Sequence, residues 1–169
     1  MKKNLVLLGM MGVGKTTLAK IVAKKQKMEF VDIDKNIEKK NSMKITEIFE
    51  KKGETFFRKE EEKEVLKSLK KKNCAIALGG GAFINETIRK DVLKNAISIW
   101  LDMNIKTLNE RVQWNQKRPL LKKDSNAKIL KELYDKRKKI YKLANHKIIC
   151  DKLSKEKLAE KIIALYGKY

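Results

Sequence analysis

The stretch Leu5-Val6-Leu7-Leu8-Gly9-Met10-Met11-Gly12-Val13-Gly14-Lys15-Thr16-Thr17 runs from an apolar segment into a glycine-spaced loop, and the helical spacing of Leu18, Ile21 and Val22 follows at once. Strand, loop and helix in that order make a phosphate cradle. Glycines let the backbone curl so that its N–H groups face an anion, and the start of the helix adds its positive dipole end. Lys15 can then reach the β- and γ-phosphates of a nucleotide, while the Thr16 hydroxyl is placed to ligate Mg²⁺. The nucleotide contacts expected here are Gly12, Val13, Gly14, Lys15, Thr16 and Thr17.

Outward from this loop, short apolar runs recur at Leu5–Leu8, Phe30–Ile33, Ala75–Leu78, Ile97–Leu101 and Lys147–Cys150. Longer stretches of helical spacing separate them, at about 15–27, 35–40, 46–52, 55–71, 86–94, 105–112, 126–144 and 154–166. Alternation of this kind predicts an α/β fold, a five-stranded parallel sheet with helices on both faces. Ligands of such a sheet lie beyond the carboxyl ends of its strands. With 169 residues and no internal repeat, one domain is expected over 1–169. One stretch, Gln113 to Asp124, has no periodicity and holds the only proline, Pro119. A long aperiodic loop in a phosphate-binding domain reads as a mobile lid, at about 112–124.

Charge raises a nucleic-acid hypothesis, with 42 basic against 21 acidic residues and a formal net charge of +21. Only five of the basic residues are arginine, at 58, 89, 111, 118 and 137, and the lysines are spread along every predicted helix. There is no finger, recognition-helix or RNA-binding signature, so the lysines read as a solvated surface and no nucleic-acid partner is expected. No segment reaches the ~18 apolar residues of a membrane span. Met1-Lys2-Lys3 leads straight into the strand that carries the loop, so removing that strand as a signal peptide would destroy the site. A cytoplasmic protein with no membrane partner is therefore expected. Cys74 and Cys150 lack metal or redox spacing and read as small buried hydrophobes. The single histidine, His146, and Trp100 read as structural.

Several residues at predicted strand ends could carry chemistry. Asp32-Ile33-Asp34 closes the second strand, and a period of two puts both carboxylates on one face. They suit a metal's outer shell and a hydroxyl-binding or proton-accepting role, with helix capping by Asp34 as the alternative. Arg58 lies near a helix start, against the dipole, and is read either as facing a site or as an ion pair with a nearby glutamate. Gly79-Gly80-Gly81 after the third strand permits close approach of backbone N–H groups to a ligand, or is a plain turn. Arg118, in the presumed lid, and Arg137 are arginines kept among lysines, a hint of planar, bidentate recognition.

Taken in order, the GMMGVGKTT loop, Asp32-Ile33-Asp34, Met43 to Phe49, Gly53-Glu54, Phe57-Arg58, Gly79-Gly80-Gly81, Arg118-Pro119-Leu120-Leu121 and Arg137 four residues before Tyr141 resemble the shikimate kinases. These are small P-loop enzymes of the nucleoside-monophosphate-kinase-like class. The resemblance spans nearly the whole chain and implies a three-layer α/β/α P-loop fold with a mobile lid and substrate-binding helices at about 34–60. It also implies a kinase that moves the γ-phosphoryl group of ATP to the 3-hydroxyl of shikimate, on the route to chorismate and the aromatic amino acids. By that resemblance Asp34, Arg58, Gly80 and Arg137 hold shikimate, with Gly79 and Gly81 beside them and Phe49 and Phe57 walling the ring. Arg111 lies near the adenine, Arg118 reaches ATP from the lid, and one Mg²⁺ is held by Thr16 and, largely through water, by Asp32. Lys15, Asp34 and Arg118 are the catalytic candidates, ATP and shikimate the partners, and a monomer is expected. Two departures stand out: Asn41-Ser42 replaces a glycine-bearing turn, and the loop after Asp151 is too plain for adenine contacts to be assigned. A gluconate kinase and a nucleic-acid-dependent ATPase are the rival readings.

Overall fold

The computed structural model describes residues 3–113 and 126–169. Five strands, β1 (Asn4–Leu8), β2 (Glu29–Asp32), β3 (Cys74–Ala77), β4 (Ala96–Asp102) and β5 (His146–Ile149), form one parallel sheet in the order β2-β3-β1-β4-β5. Seven helices connect or follow them among the described residues: α1 (Lys15–Gln26), α2 (Ile33–Asn41), α3 (Ile45–Leu69), α4 (Glu86–Asn95), α5 (Ile105–Gln113), α6 (Asn126–Tyr141) and α7 (Lys155–Tyr166). All five residues of β1 are buried. Side chains alternate between faces, so this burial requires cover on both sides of the sheet, which makes three layers.

β1 lies between β3 and β4, with the chain reaching β2 and β3 on one side of it and β4 and β5 on the other. That reversal opens a crevice at the carboxyl ends of the central strands, where the loop after β1 and the glycines after β3 both emerge. Register ties them together, with Leu7 opposite Ala77 on one side and Ile99 on the other.

Nine of the ten strand boundaries differ by one residue from those expected, and one of these shifts matters. β2 ends at Asp32, so Asp34 is not on a strand. The Asp32 carboxylate caps α2 by accepting the Lys35 N–H at 3.1 Å, and Asp34 stands in the first turn of that helix. The cap satisfies a backbone donor that continued extension would leave open, so the helix begins two residues before its apolar periodicity shows. The helices expected at 46–52 and 55–71 run together as α3, interrupted at Gly53, whose φ of 81° and ψ of 168° are non-helical. The turn before α3, where the resemblance implies a glycine, has Ser42 in the left-handed region at φ 50°. Its N–H bonds to the Glu38 and Lys39 carbonyls, so serine performs the C-cap at the cost of a Cβ in that conformation.

Cys74, Cys150 and Trp100 are buried in the core, as expected. His146 Nε2 lies 2.9 Å from the Tyr169 hydroxyl, consistent with a structural role.

Candidate active site

Two cavities meet in the crevice. One, of about 620 Å³, is lined by Gly12, Gly14, Lys15, Thr16 and Thr17, with Glu110, Arg111 and Lys155 around its outer part. The other, of about 520 Å³, is lined by Phe49, Phe57, Arg58, Glu61, Gly79, Gly81 and Arg137 among others. Gly12, Thr16, Asp32, Asp34, Gly80 and Arg111 border both.

The first cavity is shaped by backbone. Gly12 and Gly14 hold φ values of 80° and 101°, open to glycine and strained for other residues. Gly14 is the N-cap of α1, so the first N–H groups of that helix open onto the loop. Lys15 is buried and donates to the Gly9 and Met10 carbonyls, each at 2.9 Å, which folds its ammonium across the loop it belongs to. Val13 is buried behind the loop, leaving only its backbone to face a ligand. The Thr16 hydroxyl donates to Asp32 Oδ2 at 2.9 Å. A hydroxyl and one carboxylate are hard oxygen donors that fit Mg²⁺, with phosphate and water completing its shell. Among the described residues no cluster of three acidic, histidine or cysteine side chains offers a cage of its own.

The second cavity is shaped by side-chain charge. Arg58, at the start of the second half of α3, donates through Nη1 to Glu61 at 2.7 Å and through Nη2 to Glu54 at 3.1 Å. Both readings of this arginine hold together: it is ion-paired, and it lines the cavity. Burial works against its charge, but Glu61 and Glu54 outweigh that and leave its pKa above the ordinary value. Glu61 is 1% exposed, and burial raises its carboxyl above the ordinary range although Arg58 pulls the other way; the nearby Asp34 charge raises it further. Glu61 escapes sequence reading because it sits in the run Glu60-Glu61-Glu62, whose members look alike. In the fold they diverge: Glu60 pairs with Lys40 at 2.7 Å, and Glu62 accepts from Asn85 at 2.7 Å. Its spacing of three from Arg58 is the only local signal.

The glycine triplet is explained by what lies against it. A Cβ built on Gly79 would stand 2.5 Å from Glu61 Oε1 and 2.9 Å from Asp34 Oδ1, and one on Gly81 would stand 2.7 Å from Arg58 Nη1. Gly80 is seated against the β1 loop, its carbonyl accepting from the Tyr141 hydroxyl in a short bond and from Arg137 Nη1 at 3.3 Å. The rings of Phe49 and Phe57 lie 4.9 Å apart at 42° and form one apolar wall.

Lys155 was not singled out by the sequence, yet it borders the first cavity with Arg111. Asp151 accepts the Asn104 N–H and the Thr107 hydroxyl and so fixes the start of α5, which carries Arg111. The presumed lid, with Arg118 and Trp114, lies outside the described residues.

The sequence profile of the shikimate kinase family matches residues 11–166. A shikimate kinase of Sulfurihydrogenibium sp. is 41% identical over 161 residues, covering 95% of this chain and 96% of its own. That of Bacillus subtilis is 43% identical over 164 residues, covering 96% and 88%. Among solved structures, the shikimate kinase from Acinetobacter baumannii in complex with shikimate superposes with a TM-score of 0.95 at 31% identity, covering 99% of this chain and 94% of that one. Profile, full-length identity and superposition agree with one another, and the chain belongs to the shikimate kinase family.

Proposed function

We infer that the chain, an ATP-dependent phosphotransferase with an alcohol acceptor, carries the γ-phosphoryl group of ATP to the 3-hydroxyl of shikimate, giving shikimate 3-phosphate and ADP. The supporting observation is the meeting of two unlike cavities at Thr16, Asp32, Asp34 and Gly80. One suits phosphates. The other suits a hydroxylated ring with a carboxylate, since it combines two guanidinium groups with an aromatic wall.

In this reading Gly12, Val13 and Gly14 present backbone to the phosphates, with Thr17 beside them. Lys15 exchanges its carbonyl partners for the β- and γ-phosphates, and Arg111 flanks the adenine. Thr16 and Asp32 would hold one Mg²⁺, Asp32 largely through water, and what the ion would supply there is neutralisation of phosphate charge. Arg58 and Arg137 take the shikimate carboxylate, the glycines at 79–81 let the ring approach, and Phe49 and Phe57 pack on it. Asp34 orients the 3-hydroxyl and accepts its proton as that oxygen bonds to the γ-phosphorus and the bond to ADP breaks. Positioning and charge do the remaining work. The segment at about 112–124 acts as a lid that brings Arg118 to the phosphates, and the helices over about 34–60 bind the acceptor. A monomeric cytoplasmic enzyme on the route to chorismate and aromatic amino acids follows from the same reading; no described helix is long and apolar enough to cross a membrane.

ATP turnover measured with shikimate, gluconate and single-stranded RNA in parallel tests this reading. Turnover with shikimate alone is expected. Preference for gluconate, whose open chain gives the Phe49–Phe57 wall no ring, or stimulation by RNA alone would overturn it.

A further inference from the structure

Tyr141 ends α6 and is completely buried, and the proposed reaction assigns its hydroxyl no part. Its ring packs on Trp100, with centroids 5.9 Å apart, and Met10 Sδ lies 3.9 Å from its oxygen. That oxygen donates its proton to the Gly80 carbonyl in a short hydrogen bond. Arg137, one helical turn earlier, reaches the same carbonyl through Nη1 at 3.3 Å, beyond the usual N–H···O range. Arg137 also hydrogen-bonds the Tyr141 oxygen itself, so phenol and guanidinium are linked to each other as well as to one acceptor, to which the phenol hydroxyl lies nearer.

We propose that Tyr141 is a positioning residue for the acceptor pocket: by satisfying the Gly80 carbonyl it keeps the Arg137 guanidinium available to the carboxylate of the substrate. A guanidinium makes the stronger hydrogen bond wherever it has free choice, because its charge assists. Without the phenol, Arg137 would be the one side-chain donor to the part-buried Gly80 carbonyl among the described residues, and the arginine would be drawn inward to satisfy it. Burial pushes the Tyr141 hydroxyl up to about 12, so it remains a donor throughout the working range. The same bond fixes the glycine loop against the phosphate loop, where a Cβ on Gly80 would lie 3.5 Å from the Met11 nitrogen. This inference rests on Arg137 binding the substrate carboxylate.

The test is a cycle of Y141F, R137A and the double variant, with KM for shikimate, KM for ATP and kcat measured on each. Phenylalanine fills nearly the same volume, so folding should survive. Y141F should raise the shikimate KM by roughly tenfold, the worth of one good hydrogen bond, with a small change in the ATP KM. In the R137A background it should add almost nothing, because the group it acts through is gone. An unchanged shikimate KM in Y141F, or full additivity in the double variant, would overturn the proposal. An unchanged shikimate KM in R137A would instead remove the reading of Arg137 on which the proposal depends. Should Y141F fail to fold, difluorotyrosine at position 141 keeps the ring and hydroxyl but loses its proton at lower pH. Its shikimate KM should then climb with pH where the wild type stays level, and a level profile through that titration would overturn the proposal.

Discussion

The two cavities are built by different means. The first takes its shape from backbone, on a loop anchored by a fully buried strand and opened by glycines in conformations other residues avoid. The second cavity takes its shape from charged side chains on α3 that hold one another in place, Arg58 with Glu54 and Glu61, while Glu60 beside them pairs with Lys40 of α2. A backbone site keeps its geometry when one side chain is altered. A site made of ion pairs passes the loss of one member to its neighbours, since each partner left behind is a charge already removed from water.

Substitutions in the two halves should therefore differ in kind, and the largest effect sharpens the contrast. Lys15→Met should lower kcat by roughly 10²–10³-fold, the worth of a single donor to developing charge, with circular dichroism unchanged. Loss of folding would mean that the loop, too, depends on its side chain. Asp34→Asn should reduce kcat by about 10²-fold or more and leave the ATP KM nearly untouched, since a general base contributes on that scale. A variant with near-normal kcat would move proton acceptance elsewhere.

Of intermediate size is Arg58→Ala, expected to weaken shikimate by about 1.5–3 kcal/mol, one to two decades, with ATP affinity preserved. Because it also strands Glu61, it should cost thermal stability, unlike Lys15→Met; equal melting temperatures for the two variants would break the comparison. The smallest effect concerns Glu61 itself. Its pKa is raised in the folded state, chiefly by burial, so its contribution to stability is full below the ordinary glutamate range and is lost as pH rises through the raised value. Glu61→Gln should flatten that decline in urea unfolding followed across the acid-to-neutral range. An unaltered slope would assign the decline to other groups.

The same contrast governs what could be read without a structure. A backbone site needs particular residue types at fixed spacing, so Gly12, Gly14, Lys15 and Thr16 are legible in a single line of sequence, as is the strand that precedes them. Pairs such as Arg58 with Glu61 are specified by three-dimensional proximity, and nothing local separates Glu61 from Glu60 or Glu62. Gly79 was legible as a close approach, but the two carboxylates that approach it come from different helices. The local reading that singles out Asp34 is incorrect: two acids separated by one residue resemble a strand end, whereas the Asp32 cap starts a helix between them. Tyr141 carries no sequence signal beyond its distance from Arg137, because its acceptor is a carbonyl 61 residues away.

The sheet order has a consequence for behaviour in a crowded solution. Its outermost strands, β2 and β5, are each four residues long, and each carries an ion-paired side chain: Glu29 with Lys71 at 2.5 Å, and Lys147 with Asp102 at 2.8 Å. Short edges bearing charge make poor templates for a further strand from another molecule. Lys147 also lies over the Trp100 ring, 4.4 Å from its centroid, so the cation that guards this edge is held by the packing beneath it. A further strand at either edge would lie against a charged side chain already held by a partner.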